Sequence, residues 1–246
     1  MKKLRLLTIA LLFVSLAFNA CKDDDEPIHI NLIFAHHVGS AELEFDTMQY
    51  VNSAGNSYSI ETLKYLISDF KLHKADGTFE FIDEEHYIDG RDGSTHTFTP
   101  AKDVPAGDYT HISFVFGLDT TKNVTGRYTN PPESNMEWPT PMGGGYHYMK
   151  FEGKYMNNTS AVVSFNVHTG GTMGNRNVVD VTLPASGFTA ASNDISIELV
   201  VDLNKWLESP NVYDFNNYTG IMGNQDAQML LQENGADVFS IGSITQ

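Results

Sequence analysis

Cysteine and basic residues are both scarce in this chain. Cys21 is the only cysteine among 246 residues, so an intramolecular disulfide, a redox dithiol and a cysteine-rich zinc site are all excluded. The 15 lysines and arginines are outnumbered by 31 acidic residues, which leaves a formal net charge of −16. Nucleic acids and anionic membrane surfaces require basic patches, so we expect neither as a partner. The charge is compatible with cations.

No apolar run at the start of the chain is long enough to remain in a membrane. The basic residues of 1–5 precede an apolar run from Leu6 to Phe18, whereas a permanent span needs about 20 apolar residues. Asn19-Ala20-Cys21 then has the form of a lipoprotein cleavage site. We predict that 1–20 is a removed signal peptide and that Cys21 is the acylated N-terminus. The alternative is an ordinary secretory signal followed by an unmodified cysteine.

Residues 21–27 are predicted to form an acidic tether, because Lys22-Asp23-Asp24-Asp25-Glu26 cannot pack against apolar groups. One acyl chain binds a bilayer weakly, so stable anchoring requires more than one chain on Cys21. The acidic start also resembles the surface-export signal of some Gram-negative lipoproteins. We therefore expect an outer-membrane lipoprotein that faces the periplasm or the cell surface, with the surface favoured.

Residues 28–246 are predicted to form one all-β domain. Apolar residues alternate with other residues in three segments, as is typical of half-buried strands, and turn formers separate the segments. Many short strands of this kind predict an antiparallel β-sandwich or a jelly-roll-like barrel. The apolar series are Ile28, Ile30, Leu32 and Phe34; Ile112, Phe114, Phe116 and Leu118; and Ile195, Ile197, Leu199, Val201 and Leu203.

Two segments interrupt the alternation. Residues 130–145 contain four prolines and three consecutive glycines, which predicts a long surface loop. Residues 224–234 read as a short C-terminal helix, with Asn224 as its N-cap and Gly235 as its stop signal.

Four histidines are candidate metal ligands. His36 and His37 end the first strand, and adjacent residues on a strand point to opposite faces. His168 closes an alternating strand and is predicted to face away from its apolar residues, whereas His147 is in phase with two buried-type residues that follow it. Each has a plainer alternative: a surface pair for His36 and His37, and a hydrogen-bonded interior side chain for His147.

Trp138 is a second candidate, because it lies in the 130–145 loop, where no strand periodicity requires a large indole. Met136 and Met142 flank it, and thioethers suit soft copper(I) better than calcium or magnesium. The alternative is an indole that only packs the loop onto the sandwich. The sequence contains no nucleophile elbow. Gly143-Gly144-Gly145 precedes a strand and not a helix, so these glycines do not form a phosphate-binding loop. We therefore do not predict an enzyme.

Several segments in this order resemble the MbnP-like proteins across nearly all of 28–246. They are Ala35-His36-His37-Val38-Gly39, Leu63 to Leu72, Pro105 to Tyr109, Ser113 to Asp119, Met136-Glu137-Trp138, Gly145-Tyr146, Lys150 to Gly153, Asp202 to Trp206, Ile221 to Asn224 and Glu233 to Phe239.

The resemblance implies an exported β-rich protein associated with copper and, in some members, with a di-haem cytochrome c peroxidase-like enzyme of the MauG type. In such members a tryptophan is oxidised to kynurenine, whose polar groups join histidines at the copper. Trp138 matches the first position of the family's Trp-x-Trp pattern, and Thr140 occupies the second. The implied copper ligands are His37 and His168 with an oxidised Trp138, and His36 or His147 as substitutes.

The leading hypothesis is therefore a lipid-anchored copper-binding protein that is a redox client of such a peroxidase. A family member that has lost the metal is one alternative. Another is a surface sandwich that binds glycan or a protein through the 130–145 loop, with Trp138 and Tyr146 as stacking platforms.

Overall fold

The computed structural model describes residues 28–183, 187–191 and 193–246. The predicted signal peptide, Cys21 and the acidic tether lie outside these residues. None of the helices in this part of the chain is long and apolar enough to cross a membrane.

Strands are the main regular element of the domain. In chain order they are β1 (Ile30–Val38), β2 (Ala41–Glu42), β3 (Tyr50–Val51), β4 (Ser57–Lys74), β5 (Phe79–Ile82), β6 (His86–Asp89), β7 (Thr97–Phe98), β8 (Gly107–Phe116), β9 (His147–Met156), β10 (Val162–Gly170), β11 (Val179–Leu183), β12 (Phe188–Ala190), β13 (Ile195–Asp202) and β14 (Phe239–Thr245). One α-helix, α1 (Gln225–Asn234), precedes β14.

The strands form two sheets. The small sheet has the order β14-β13-β1-β2, with β7 also paired to β1. The large sheet has the order β10-β9-β4-β8-β11, with β12 beside β8 and with β3, β5 and β6 beside the long strand β4. The predicted all-β sandwich is therefore confirmed, although β1 and β13 run parallel rather than antiparallel.

The core lies between the two sheets and uses the predicted alternating residues. Every apolar residue of the three series named above is at most 2% exposed. Aromatic rings from the two sheets contact each other. The ring centres of Phe114 (β8) and Phe239 (β14) lie 5.1 Å apart, and those of Phe70 (β4) and Phe98 (β7) lie 5.5 Å apart. Burial of one face is what makes the alternation in the sequence so clear.

The C-terminal helix forms where it was predicted. The Asn224 side chain accepts a hydrogen bond from the Ala227 N–H, as an N-cap does. Gly235 ends α1, but its φ is −61°, so the left-handed stop conformation is not the reason for glycine. A Cβ there would lie 2.4 Å from Val179, so close packing requires the glycine.

Candidate metal centre

The candidate site lies where β9 begins and β10 ends. The imidazoles of His147 and His168 lie 5.0 Å apart, nearly perpendicular to each other. Simple alternation would place His147 with Met149, but the strand register shifts between Thr169 and Gly170, opposite the start of β9. This irregularity breaks the alternation and lets His147 meet His168, which faces away from the buried Phe165 and Val167 as predicted.

Each imidazole of this pair uses one nitrogen in a hydrogen bond to the protein. His147 Nδ1 lies 2.9 Å from the Met136 carbonyl oxygen, and His168 Nε2 lies 2.7 Å from Glu152 Oε1. Both partners only accept, so these nitrogens carry the protons and the lone pairs belong to His147 Nε2 and His168 Nδ1. His168 Nδ1 is buried, and none of the residues that the structure describes gives it a hydrogen-bond partner. A histidine with one nitrogen held by a carbonyl or carboxylate and the other free is typical of metal ligands.

Trp138 packs directly against this pair. Its indole is fully buried, 4.8 Å from the His147 ring, and its Nε1–H donates to the Met142 carbonyl oxygen at 3.1 Å. Gly170, the last residue of β10, permits this contact, because a Cβ there would lie 2.5 Å from the indole. The 130–145 loop was predicted to cross the surface, with an indole packed onto the sandwich as one alternative for Trp138. The side chains of Met136 and Trp138 are buried.

Two methionines face His168 across a small cleft. Met142 and Met222 line this cleft together with His168, Asn166 and the backbone around Gly220. Buried Gln228 of α1 holds the walls in place. Its amide nitrogen donates to the carbonyl oxygens of His168 at 2.7 Å and Ile221 at 3.2 Å. One histidine and two methionines therefore line one cleft, and hydrogen bonds from Gln228 hold the backbone of its walls at His168 and Ile221.

His36 and His37 lie elsewhere, at the end of β1 in the small sheet. They line a separate cleft with Glu42 and His96, and His36 Nε2 lies 2.9 Å from the Tyr65 hydroxyl. The structure thus brings together His147, His168 and Trp138 of the five candidates, and it places His36 and His37 in another cleft. Among the residues described, no group of three or more His, Cys, Asp or Glu side chains is placed to bind a metal.

The charges around His147 and His168 suit a bound cation. Burial lowers the pKa of His147 to about 4, so its imidazole is neutral at pH 7. The hydrogen bond from His168 lowers the pKa of Glu152, which keeps that carboxylate charged. The neutral imidazole of His147 keeps a lone pair for a metal cation, and the Glu152 carboxylate adds negative charge beside the pair.

The depressed pKa of His147 predicts a pH-dependent stability. Above the unfolded pKa of 6.5 both states are neutral, so this group contributes no pH dependence. Below it the unfolded chain takes up a proton that the folded protein accepts only near pH 4, so stability falls by up to about 1.4 kcal/mol per pH unit.

Between pH 7 and pH 5, the free energy of unfolding of His147→Gln should therefore fall by about 2 kcal/mol less than that of the wild type, as measured by urea unfolding. Identical pH curves for His147→Gln and the wild type would contradict the assignment.

The glycan alternative required exposed stacking rings, and the expectation that Trp138 and Tyr146 supply them is wrong. Both side chains are at most 1% exposed. The Tyr146 hydroxyl accepts a hydrogen bond from the Tyr128 N–H, which ties its ring to the loop. Neither ring offers a free face to a sugar.

Sequence reasoning missed two residues of the site. Met222 lies in an irregular segment far along the chain from His168, and its only signal was its place in a segment of the family resemblance. Glu152 alternates with core residues on β9, so it reads as an ordinary exposed strand position. Its diagonal contact with His168 depends on strand register.

Comparison with known proteins yields one family and one solved structure. A family model described as MbnP matches residues 27–224. The structure of MbnP from Methylosinus trichosporium is similar to this chain, with a TM-score of 0.58 and 14% sequence identity, over 88% of this chain and 99% of that one. At that identity the structural match concerns the fold. No curated protein matches this chain significantly.

Proposed function

Because the chain belongs to the MbnP family, we propose that it is an exported protein that binds copper at His168, between Met142 and Met222. The observation that carries the proposal is the buried Nδ1 of His168, which has no hydrogen-bond partner among the described residues, on a side chain that lines the same cleft as both methionines. A lone pair in such a place is costly unless a ligand satisfies it.

The donor set supports copper in its reduced state. Imidazole nitrogen and thioether sulfur are soft or borderline donors, and thioethers select copper(I) over calcium, magnesium or manganese. His147 supplies a second imidazole, whose ring centre lies 5.0 Å from that of His168 and whose Nδ1–H is held by the Met136 carbonyl. The hydrogen bond from His168 to Glu152 fixes the ring that would hold the metal.

The direct test is copper retention by the purified protein through dialysis. The wild type should keep copper, His168→Ala should lose it, and His37→Ala, altered in the other cleft, should keep it. Retention by His168→Ala would overturn the proposal.

We further propose that the protein is a redox client of a MauG-type di-haem peroxidase and not an enzyme itself. The position of Trp138 beside His147 supports this part of the proposal. With two molecules of hydrogen peroxide as the oxidant, the enzyme would cleave the C2–C3 bond of the Trp138 indole, add one oxygen atom to each carbon and release two molecules of water. Hydrolysis of the N-formylkynurenine by one water molecule would then release the formyl carbon as formate. The kynurenine formed would carry an amine and a ketone beside His147, whose ring lies 4.8 Å from the indole.

Peptide mass mapping tests this part. Protein from its native cells should contain kynurenine at Trp138 and an unmodified indole at Trp206, which serves as the internal control because it packs in the core beside Phe116. An unmodified Trp138 in such protein would exclude the client role and would leave copper binding to be judged separately.

The proposed place of action is the outer membrane. Acylation of Cys21 would anchor the domain in the lipid bilayer, and the acidic residues after it would hold the domain clear of the headgroups. The acidic start favours the cell surface over the periplasmic side. The strongly negative charge supports cations rather than nucleic acid as ligands.

A further inference from the structure

A second histidine cluster lies in the cleft of the small sheet, away from the proposed copper ligands. His36 comes from the end of β1, and His96 follows the short turn Gly93–Thr95. Their rings lie 4.8 Å apart. His37 and Glu42, which face each other across β1 and β2, line the same cleft. Three histidines and a glutamate thus line one cleft, in which two imidazoles are in contact and no third donor of the described residues is yet placed with them.

The protein already fixes the backbone of both central histidines. The Leu43 N–H donates to the His36 carbonyl oxygen at 2.9 Å, and the Phe34 N–H donates to the His96 carbonyl oxygen at 2.8 Å. The backbone of both residues is therefore held by hydrogen bonds, in β1 for His36 and directly before β7 for His96. Rigid mounting is what a binding site needs, because little entropy is lost when a ligand arrives.

The ring nitrogens are arranged in the same way as at the first site. His96 Nε2 lies 3.0 Å from the Asp89 carbonyl oxygen and donates to it, so its lone pair is on Nδ1. His36 Nε2 lies 2.9 Å from the buried Tyr65 hydroxyl, which leaves Nδ1 as the free nitrogen of that ring. Each histidine thus has one nitrogen held by a protein partner and one left for a ligand.

We propose that His36 and His96 bind a divalent cation of the zinc type, with His37 or Glu42 as the third ligand. Zinc bonds imidazole nitrogen at about 2.0–2.1 Å, so one ion can reach both rings at their observed separation. No methionine lines this cleft, and imidazole with carboxylate suits zinc better than copper(I).

His37 and Glu42 complete the site by moving. They lie at the rim, partly or fully exposed, and a rotation of either side chain would bring its donor toward the buried ring of His36 and the half-buried ring of His96. Burial, with the nearby His96 and His37, lowers the pKa of His36 to about 3, so its imidazole does not have to lose a proton before it binds metal at pH 7.

The experiment is a zinc titration of the purified protein that carries His168→Ala, so that the proposed copper site cannot contribute. Calorimetry should detect one bound zinc ion, and imidazole NMR should show shifts for His36 and His96. Adding His96→Gln should weaken zinc binding by about tenfold or more. The matched control is His111→Gln, because His111 stacks 4.0 Å from His73 in another exposed histidine pair.

Zinc binding that survives His96→Gln, that disappears in His111→Gln, or that is absent from the His168→Ala protein would overturn the proposal. The NMR measurement is made on protein in which His36 and His96 are unaltered. Its result therefore does not depend on whether the His96→Gln variant folds. Zinc shifts at His73 and His111 alone would assign the metal to that surface pair instead. The outcome is independent of copper binding, since His168 is absent throughout.

Discussion

Copper affinity is expected to fall about a hundredfold or more in His168→Ala protein. Loss of a partner that merely orients a ligand costs tenfold to a hundredfold in metal affinity, and loss of the ligand itself should cost at least the upper value. The side chain is largely buried, and its hydrogen bond to Glu152 is the only one that the described structure gives its ring. Competition against a chelator of known copper(I) affinity measures the change.

Two controls make that result specific. His37→Ala removes an imidazole from the other cleft and should leave copper affinity unchanged. Circular dichroism should show the same strand content in both variants, because neither side chain is part of the core between the sheets. Equal affinity for copper in wild-type and His168→Ala protein would exclude the site.

The methionines are expected to decide which copper ion is held. Leucine conserves most of the volume of methionine but offers no sulfur, so Met142→Leu with Met222→Leu should fold normally. Copper(I) binding should weaken far more than copper(II) binding, since only the reduced ion prefers thioethers. An equal loss for both ions would mean that the sulfurs are not ligands.

Trp138→Ala is expected to lower the free energy of unfolding by about 3–5 kcal/mol, the range for a buried tryptophan truncated in a packed site. The indole is fully buried, fills the space over Gly170 and contacts His147. For a domain of this size the loss corresponds to a fall in Tm on the order of 10 °C, measured by calorimetry.

Trp138→Phe separates packing from hydrogen bonding. Phenylalanine keeps an aromatic ring against Gly170 but leaves the Met142 carbonyl oxygen without the indole donor. It should recover most of the lost stability and retain a deficit of about 1 kcal/mol. A loss below 1 kcal/mol for Trp138→Ala would show that the loop does not depend on the indole.

Strand positions could be predicted from the sequence because burial of one face imposes a period of two. Ile30, Ile197 and Phe114 follow it, and all of them pack in the core. The pairing of β1 with β13 could not be predicted in the same way, because alternation gives the face of a strand and not its neighbour or its direction.

The site was harder to predict because it depends on departures from regular structure. His147 lies next to His168 because the strand register shifts beside them. Trp138 is buried because Gly170, which has no side chain, leaves room for the indole. His37 was a reasonable ligand candidate from its position in the sequence, yet it belongs to the small sheet. Which strands share a sheet is decided by contacts between residues far apart in the chain.

The parallel pairing of β1 with β13 also constrains how the chain can reach its native state. The parallel partner of β1 lies about 165 residues later in the chain. The hydrogen bond from the His29 N–H to the Asp194 carboxylate spans the same separation. A nascent or half-translocated chain that ends before β13 leaves β1 without this neighbour. Closure of such distant contacts is slow, so the small sheet should assemble only after nearly the whole polypeptide has emerged from the export machinery.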